Sequence, residues 1–212
     1  MEANWKMLGK THFTMGIAAA LIVTHPTTVS GVLAAVAAGG MGGKLPDIDQ
    51  KKPKIKRESI YDTIIELIFI GILIAVDCFI GNGFCRYIAD HWGPRVWFGF
   101  AGIVALIIIG NKTEHRSFTH SLVCLTLFGV SVYCACLPMA LPFAVGYASH
   151  IVLDLFNIKE ISLFFPLKYK FSLKLCEARG NVNTVLYWIG LSFAVILGAV
   201  FLFRALLNAG ML

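Results

Sequence analysis

The stretch that decides the fold is residues 141–156, which read LPFAVGYASHIVLDLF. An apolar run of this kind supplies most of a membrane-spanning helix, which needs about 20 residues. The spacing of i and i+4 places His150 and Asp154 on one face of that helix, about one turn apart. The simplest interpretation is that His150 and Asp154 form a structural hydrogen bond in the protein core. Because ionisable side chains inside a membrane helix are costly, however, this pair is a candidate functional site.

The rest of the chain has the same apolar character. Hydrophobic residues make up 58% of the 212 residues, charged residues only 14%, and the mean hydropathy is +0.77. The apolar runs are Ile17 to Ala38, Thr63 to Ile80, Val96 to Gly110, Leu122 to Leu137, Leu141 to Phe156 and Val185 to Leu207. Open sheet edges are not tolerated in lipid, so these runs predict helices. The sequence therefore predicts an all-α, polytopic membrane protein, with residues 1–212 forming a single integral-membrane domain of about five spanning helices.

The first apolar run is interrupted by His25-Pro26-Thr27-Thr28. Proline removes a backbone donor and disfavours helix at the residue before it. Two helices of roughly a dozen residues each would be shorter than the bilayer core. We therefore expect an N-terminal re-entrant hairpin, whose two ends lie on the same side of the membrane.

Basic residues are concentrated in alternating loops. They occupy residues 44–61, the segment with Lys112 and Arg116, and residues 157–183. Under the positive-inside rule these loops are cytoplasmic. This pattern predicts a multi-pass protein of the bacterial inner membrane, in contact with membrane lipids, and gives no reason to expect a nucleic-acid partner.

Seven side chains of metal-binding type lie in or beside the apolar runs. They are His12, Asp47, Asp49, His115, His120, His150 and Asp154. Most of them fall near the predicted cytoplasmic helix ends, and the hairpin would bring His12 to the same side. Imidazoles and carboxylates suit zinc, manganese, iron or magnesium. We predict a site for one or two divalent ions, with zinc or manganese favoured.

The segment His115-Arg116-Ser117-Phe118-Thr119-His120-Ser121 precedes the run that begins at Leu122. Thr119 is a candidate N-cap, and the amide donors of a helix N-terminus suit an anionic substrate. Arg116 could bind a phosphate or carboxylate through its guanidinium fork. An interfacial loop whose histidines face water is the alternative interpretation.

Together these motifs resemble the bacterial inner-membrane metal-dependent hydrolases of the YdjM type. The resemblance rests on His12 and on four segments, and extends to about Leu175. The segments are residues 45–49 (LPDID), 115–121 (HRSFTHS), 149–154 (SHIVLD) and 163–173, which contains LFFP. This chain departs from the pattern at Ser117, where glycine is usual, and in residues 157–160. The resemblance implies a metal-dependent hydrolase without specifying its substrate.

These observations suggest hydrolysis by a metal-activated water, with Asp49 as a candidate base and Arg116 as a candidate anion-binding residue. A site at the membrane surface suggests a phosphoester substrate, such as a phospholipid or a lipid-linked phosphate. A divalent cation transporter or channel is the leading alternative, and it predicts ligands distributed through the membrane depth. A scaffold in which the metal only ties helices together is a third possibility.

Overall fold

The computed structural model describes residues 9–49, 57–80, 83–175 and 180–211. In these residues the chain is helical apart from loops and a single antiparallel β-bridge between Ile161 and Phe171, which confirms the all-α prediction. The helices are α1 (Gly9–Thr24), α2 (Val29–Lys44), α3 (Arg57–Ile80), α4 (Phe84–Asp90), α5 (Pro94–Lys112), α6 (Leu122–Ala135), α7 (Leu137–Phe156) and α8 (Gly180–Asn208). Short 3₁₀ turns cover Leu45–Asp49 and Phe118–His120.

Several of these helices are long and apolar enough to cross a membrane. In the described part of the chain, three qualify: Pro94–Lys112, Leu137–Phe156 and Asn181–Asn208. The segments Ile64–Ile80 and Phe84–Asp90 qualify as a pair, bent by 66° at the break between them. The sequence predicted about five spans. The fifth predicted span corresponds to α6. Its 14 residues extend only about 21 Å, so this helix is shorter than the roughly 30 Å hydrocarbon core.

The first apolar run folds as an antiparallel helix hairpin, as the proline predicted. Helix α1 ends at Thr24, and Thr28 caps α2 by accepting a hydrogen bond from the backbone N–H of Gly31 (3.1 Å). Each helix has 16 residues, a length of about 24 Å. The start of α1 and the end of α2 therefore lie side by side. The re-entrant position of this hairpin in the membrane stays a prediction.

Glycines allow the backbones of α1, α2 and α7 to touch. A Cβ added at Gly16 would lie 2.4 Å from the carbonyl oxygen of Gly39, and one added at Gly146 would lie 2.1 Å from the same oxygen. A Cβ at Gly43 would lie 2.3 Å from the carbonyl oxygen of His12. Small residues permit such close approach between membrane helices, where no hydrophobic force drives helices together. Helix α2 is thus held between α1 and α7 at van der Waals distance.

The remaining helices surround this three-helix core. Helix α8 packs on α1, while α5 and α6 pack on each other and α6 packs on α7. Phe128 of α6 and the α7 residues Phe143 and Tyr147 form the centre of the largest buried apolar cluster among the described residues. The start of α1, the end of α2, the turn before α6 and the end of α7 all meet at one end of the bundle.

Only parts of the two predicted basic loops are described. Of residues 44–61, the 3₁₀ turn that follows α2 and the first turns of α3 are seen, and Lys51 to Lys56 lie outside the described residues. Residues 157–175 form an irregular excursion that returns beside the end of α7, since the N–H of Leu173 bonds to the carbonyl of Leu155 at 2.7 Å. Lys168, Lys170 and Lys174 are exposed there. Their side of the membrane stays a prediction.

Replacing Gly146 by alanine tests the backbone contact. We expect Gly146→Ala to destabilise the protein by about 1–3 kcal/mol, because the new methyl group has to push α2 away from α7. The thermal unfolding midpoint in detergent measures the effect. Gly129→Ala on α6 is the matched control, since a Cβ there meets nothing within 4 Å and is expected to be neutral or slightly stabilising. Equal midpoints for the two variants would contradict the contact.

Candidate metal centre

The structure brings all seven predicted ligands together at one end of the bundle. Three overlapping groups have ligand atoms within 4.8 Å of one another. The groups are His12, His150 and Asp154; Asp47, His120 and His150; and Asp49, His115 and His120. The predicted proximity, including that of His12, is therefore found. Metal binding itself stays a prediction.

Four atoms at the centre of this cluster point toward one another. The Nε2 atom of His120 lies 3.2 Å from Nε2 of His150, 3.2 Å from Oδ2 of Asp154 and 3.8 Å from Oδ1 of Asp47. The Nε2 atom of His150 lies 3.8 Å from that Asp154 oxygen and 3.9 Å from that Asp47 oxygen. Tetrahedral ligands at about 2.0–2.1 Å from a zinc ion lie roughly 3.3–3.4 Å apart. These four atoms, which we call the central quartet, are thus close to the spacing of a metal site.

The orientation of His150 suits a ligand. Its Nδ1–H donates a hydrogen bond to the backbone carbonyl of Gly43 at 2.7 Å, which leaves the lone pair of Nε2 facing the central quartet. Metal-binding histidines usually hold their other ring nitrogen in this way. Because the neighbouring Gly42 lets the last turn of α2 approach α7 closely, that turn fixes the tautomer of a residue on α7.

His12 lies beside the central quartet. Its ring stacks on that of His150 with centroids 3.8 Å apart, and its Nε2 lies 3.9 Å from Oδ1 of Asp154. Its Nδ1 is buried and has no partner among the described residues. A buried polar group without a partner is costly. His12 therefore fits either an additional ligand to the same ion or part of a second site.

Both carboxylate oxygens of Asp49 accept hydrogen bonds from the loop before α6. Oδ1 accepts from Nδ1–H of His115 at 2.7 Å, and Oδ2 accepts from the N–H of Arg116 at 2.9 Å and the hydroxyl of Thr119 at 2.6 Å. Burial by itself would raise the pKa of Asp49, but hydrogen bonds from His115, His120 and Thr119 hold the pKa below its usual range. The sequence made Asp49 a candidate base, whereas its contacts are those of an ionised group that positions its neighbours.

Arg116 is engaged in a similar way. One amino nitrogen donates to Oδ1 of Asp154 at 3.1 Å, and the other donates to the carbonyl of Lys159 at 2.8 Å. The residue is 7% exposed and has a left-handed backbone with φ of 65°. The sequence predicted that this guanidinium binds an anionic substrate. In the structure its two amino groups instead hold the carboxylate of Asp154 and the loop after α7.

The prediction that Thr119 caps helix α6 is wrong. Residues Phe118–His120 form a 3₁₀ turn, so α6 begins two residues later and Ser121 is the cap, accepting from the N–H of Cys124 at 3.1 Å. Thr119 is fully buried, and its hydroxyl lies between Asp49 and Nδ1 of His120, 3.0 Å from the latter. The hydroxyl therefore serves the ligand network rather than the helix end.

Tyr147 and the Gly43 carbonyl were not anticipated from the sequence. The hydroxyl of Tyr147 donates to the carbonyl of Thr119, which ties α7 to the turn that carries His120. Tyr147 lies three residues before His150, on the same side of the helix, and this spacing is the signal that identifies it. The Gly43 carbonyl has no such signal, because every residue carries one.

The centre is buried but not sealed. His12, Asp49, His120, His150 and Asp154 are at most 1% exposed. The side chains of Asp47 and His115 are 13% and 24% exposed. The centre can therefore be reached from the end of the bundle, between the 3₁₀ turn after α2 and the loop before α6.

A family model described as YdjM inner membrane protein matches residues 7–210. The chain belongs to the YdjM inner membrane protein family. It is similar to "Uncharacterized protein YvsG" of Bacillus subtilis (strain 168), with 26% identity over 191 residues that cover 89% of this chain and 91% of the relative. No solved structure matches it.

Membership in the YdjM family and the apolar helices identify a multi-pass inner-membrane protein, as the sequence predicted. The match spans every residue of the metal-type cluster, from His12 to Asp154. The cluster and the spanning helices therefore lie within one family match.

Changing Asp49 to asparagine separates a positioning role from a ligand role in this YdjM-family protein. If Asp49 orients His120 and His115, Asp49→Asn lowers metal affinity about 10–100-fold and does not abolish binding. Competition between the purified protein and a fluorescent zinc chelator measures the affinity. Asp90→Asn, at an exposed residue on α4, is the control. Complete loss of binding in a folded Asp49→Asn protein would make Asp49 a ligand.

Proposed function

We propose that this protein is a membrane-embedded, metal-dependent hydrolase that cleaves a phosphoester. The observation that carries the proposal is the central quartet of Asp47, His120, His150 and Asp154, which gathers two imidazole nitrogens and two carboxylate oxygens at one buried point. Such mixed nitrogen and oxygen sets suit zinc or manganese better than magnesium, which prefers oxygen ligands.

The residues around the quartet support a metal ion rather than a simple salt-bridge cluster. The unpartnered Nδ1 of buried His12 indicates a missing neighbour. The hydrogen bond from His150 to Gly43 leaves a lone pair pointing inward, and Arg116 fixes Asp154 from behind. One ion at the quartet would take up the lone pair of His150 and the Asp154 carboxylate, and a second ion beside His12 would be compatible with the ligand types present.

A divalent ion held by Asp47, His120, His150 and Asp154 would supply an activated water and a positive charge for the oxygen that becomes anionic during hydrolysis. Asp49 and Thr119 hold His120 in place, and Arg116 holds Asp154. The partly exposed carboxylate of Asp47 lies at the opening, where a substrate arrives.

His115 is the side chain best placed to move a proton. Its Nδ1–H is held by Asp49, which orients the ring. Its Nε2 is buried and has no partner among the described residues, while its side chain as a whole is the most exposed of the seven. We assign His115 as the general acid or base, in place of Asp49, whose oxygens are occupied by donors.

The position of the cluster argues against the transporter alternative. A cation pathway needs ligands at several depths of the bundle. In the described residues, the three groups of metal-type side chains overlap at one end, and His120 or His150 belongs to each of them. The opening at Asp47 and His115 also argues against a closed structural site.

Metal content is the first test. Detergent-purified wild-type protein is expected to retain about one or two divalent ions by elemental mass spectrometry, and a His150→Ala, Asp154→Ala double variant is expected to retain none. A His91→Ala, Asp90→Ala double variant at the opposite, exposed end is the matched control and keeps the wild-type content. Wild-type protein that holds no ion after loading with zinc and manganese would overturn the proposal.

A second test addresses His115. With bis(p-nitrophenyl) phosphate as the substrate, His115→Gln is expected to reduce hydrolysis by the metal-loaded protein about 10²–10⁴-fold while the metal content stays unchanged. Measuring both quantities on the same preparation separates proton transfer from metal binding. A variant that loses its metal would place His115 among the ligands instead, and one with full activity would exclude it from the chemistry.

A further inference from the structure

An apolar groove runs along the outside of α1, α7 and α8. It encloses about 530 Å³ and is almost free of polar surface. Its walls include Met15, Ala19, Val145, Ala148, Gly190 and Phe193. Because α7 and α8 are candidate membrane spans, the groove opens toward the hydrocarbon of the bilayer rather than toward water.

The groove begins within one helical turn of the metal-type cluster. Met15 lies three residues after His12 on α1, and Ala19 continues the same helix face. On α7 the groove residue Leu153 directly precedes Asp154, and it packs against Met15. One turn of helix rises about 5.4 Å, so the upper end of the groove is about one turn from the ligands.

A positive charge lies at the same end of the α1–α8 seam. The ammonium group of Lys10 is 5.2 Å from the ring centre of Tyr187, one turn before the groove residue Gly190 on α8. Gly190 lets α8 approach α1 closely, since a Cβ there would lie 2.9 Å from the sulfur of Met15. The groove is thus apolar along its length, and a cation and the ligand cluster lie at one end.

From this arrangement we infer that the groove binds the hydrocarbon chain of a lipid whose phosphate headgroup is presented to the metal centre. This inference rests on the proposed function, and it names the substrate class as an anionic amphiphile. The apolar walls match the chain, while Lys10 and the ion match the phosphate. A water-soluble phosphoester would leave the groove without a role.

The test is lipid binding by the full chain in a non-ionic detergent, measured by native mass spectrometry. Dioleoyl phosphatidic acid and dioleoyl phosphatidylcholine are titrated separately. Ala148→Trp places a bulky ring in the groove, and Ala19→Leu is a milder second variant in case the first does not fold. Val130→Trp, on an exposed face of α6 outside the groove, is the matched control.

We expect wild-type protein and Val130→Trp to bind one phosphatidic acid at least about tenfold more tightly than phosphatidylcholine. Both groove variants are expected to lose this preference while retaining their metal. Equal binding of the two lipids, or a preference that survives both groove variants, would overturn the inference even if the metal is present. Groove-dependent lipid binding by a protein without metal would instead contradict the proposed hydrolase and leave the groove as a lipid site.

Discussion

The backbone contact among α1, α2 and α7 is the constraint on which the rest of the structure depends. Gly16, Gly39, Gly43 and Gly146 each lie where even a methyl group would collide with a neighbouring backbone. Metal ligands must be placed to within a few tenths of an ångström. Contacts between main-chain atoms therefore set the separation of the three helices that carry or precede most of the ligands. A separation set in this way varies less than one set by side-chain packing.

The bundle also has to accommodate charge where water is scarce. Buried carboxylates are stable only if they are paired or accept several hydrogen bonds. Asp49 meets this requirement through donors from the loop before α6, and Asp154 meets it through Arg116 and His120. In both cases the partners come from the short segment of residues 115–120. That loop is the polar partner of both the 3₁₀ turn after α2 and helix α7, and its buried contacts stabilise the end of the bundle where the chemistry is proposed.

The sequence could predict the helical membrane fold and the identity of the clustered side chains. Both follow from the free-energy cost of placing unpaired polar groups in lipid. Long apolar runs have no other stable form in lipid, and ionisable groups beside them need partners. The proline at position 26 even allowed His12 to be placed with the others. What the sequence could not provide was the division of roles inside the cluster. Asp49 and Arg116 have the chemistry of a base and an anion clamp. Only the distances to Thr119, His115 and Lys159 reveal that both Asp49 oxygens and an amino group of Arg116 are already occupied.

The hydrogen bond from His150 to Gly43 has an evolutionary consequence. Metal-binding histidines are oriented by a carboxylate, a backbone carbonyl or a water molecule, and one point mutation can remove a carboxylate partner. Here the acceptor is a peptide carbonyl, which every amino acid at position 43 would carry. Substitutions can therefore disturb the tautomer of His150 only by moving a whole helix. The most deeply buried histidine pair of the centre is thus protected from gradual mutational drift, while the exposed positions around its opening are free to vary.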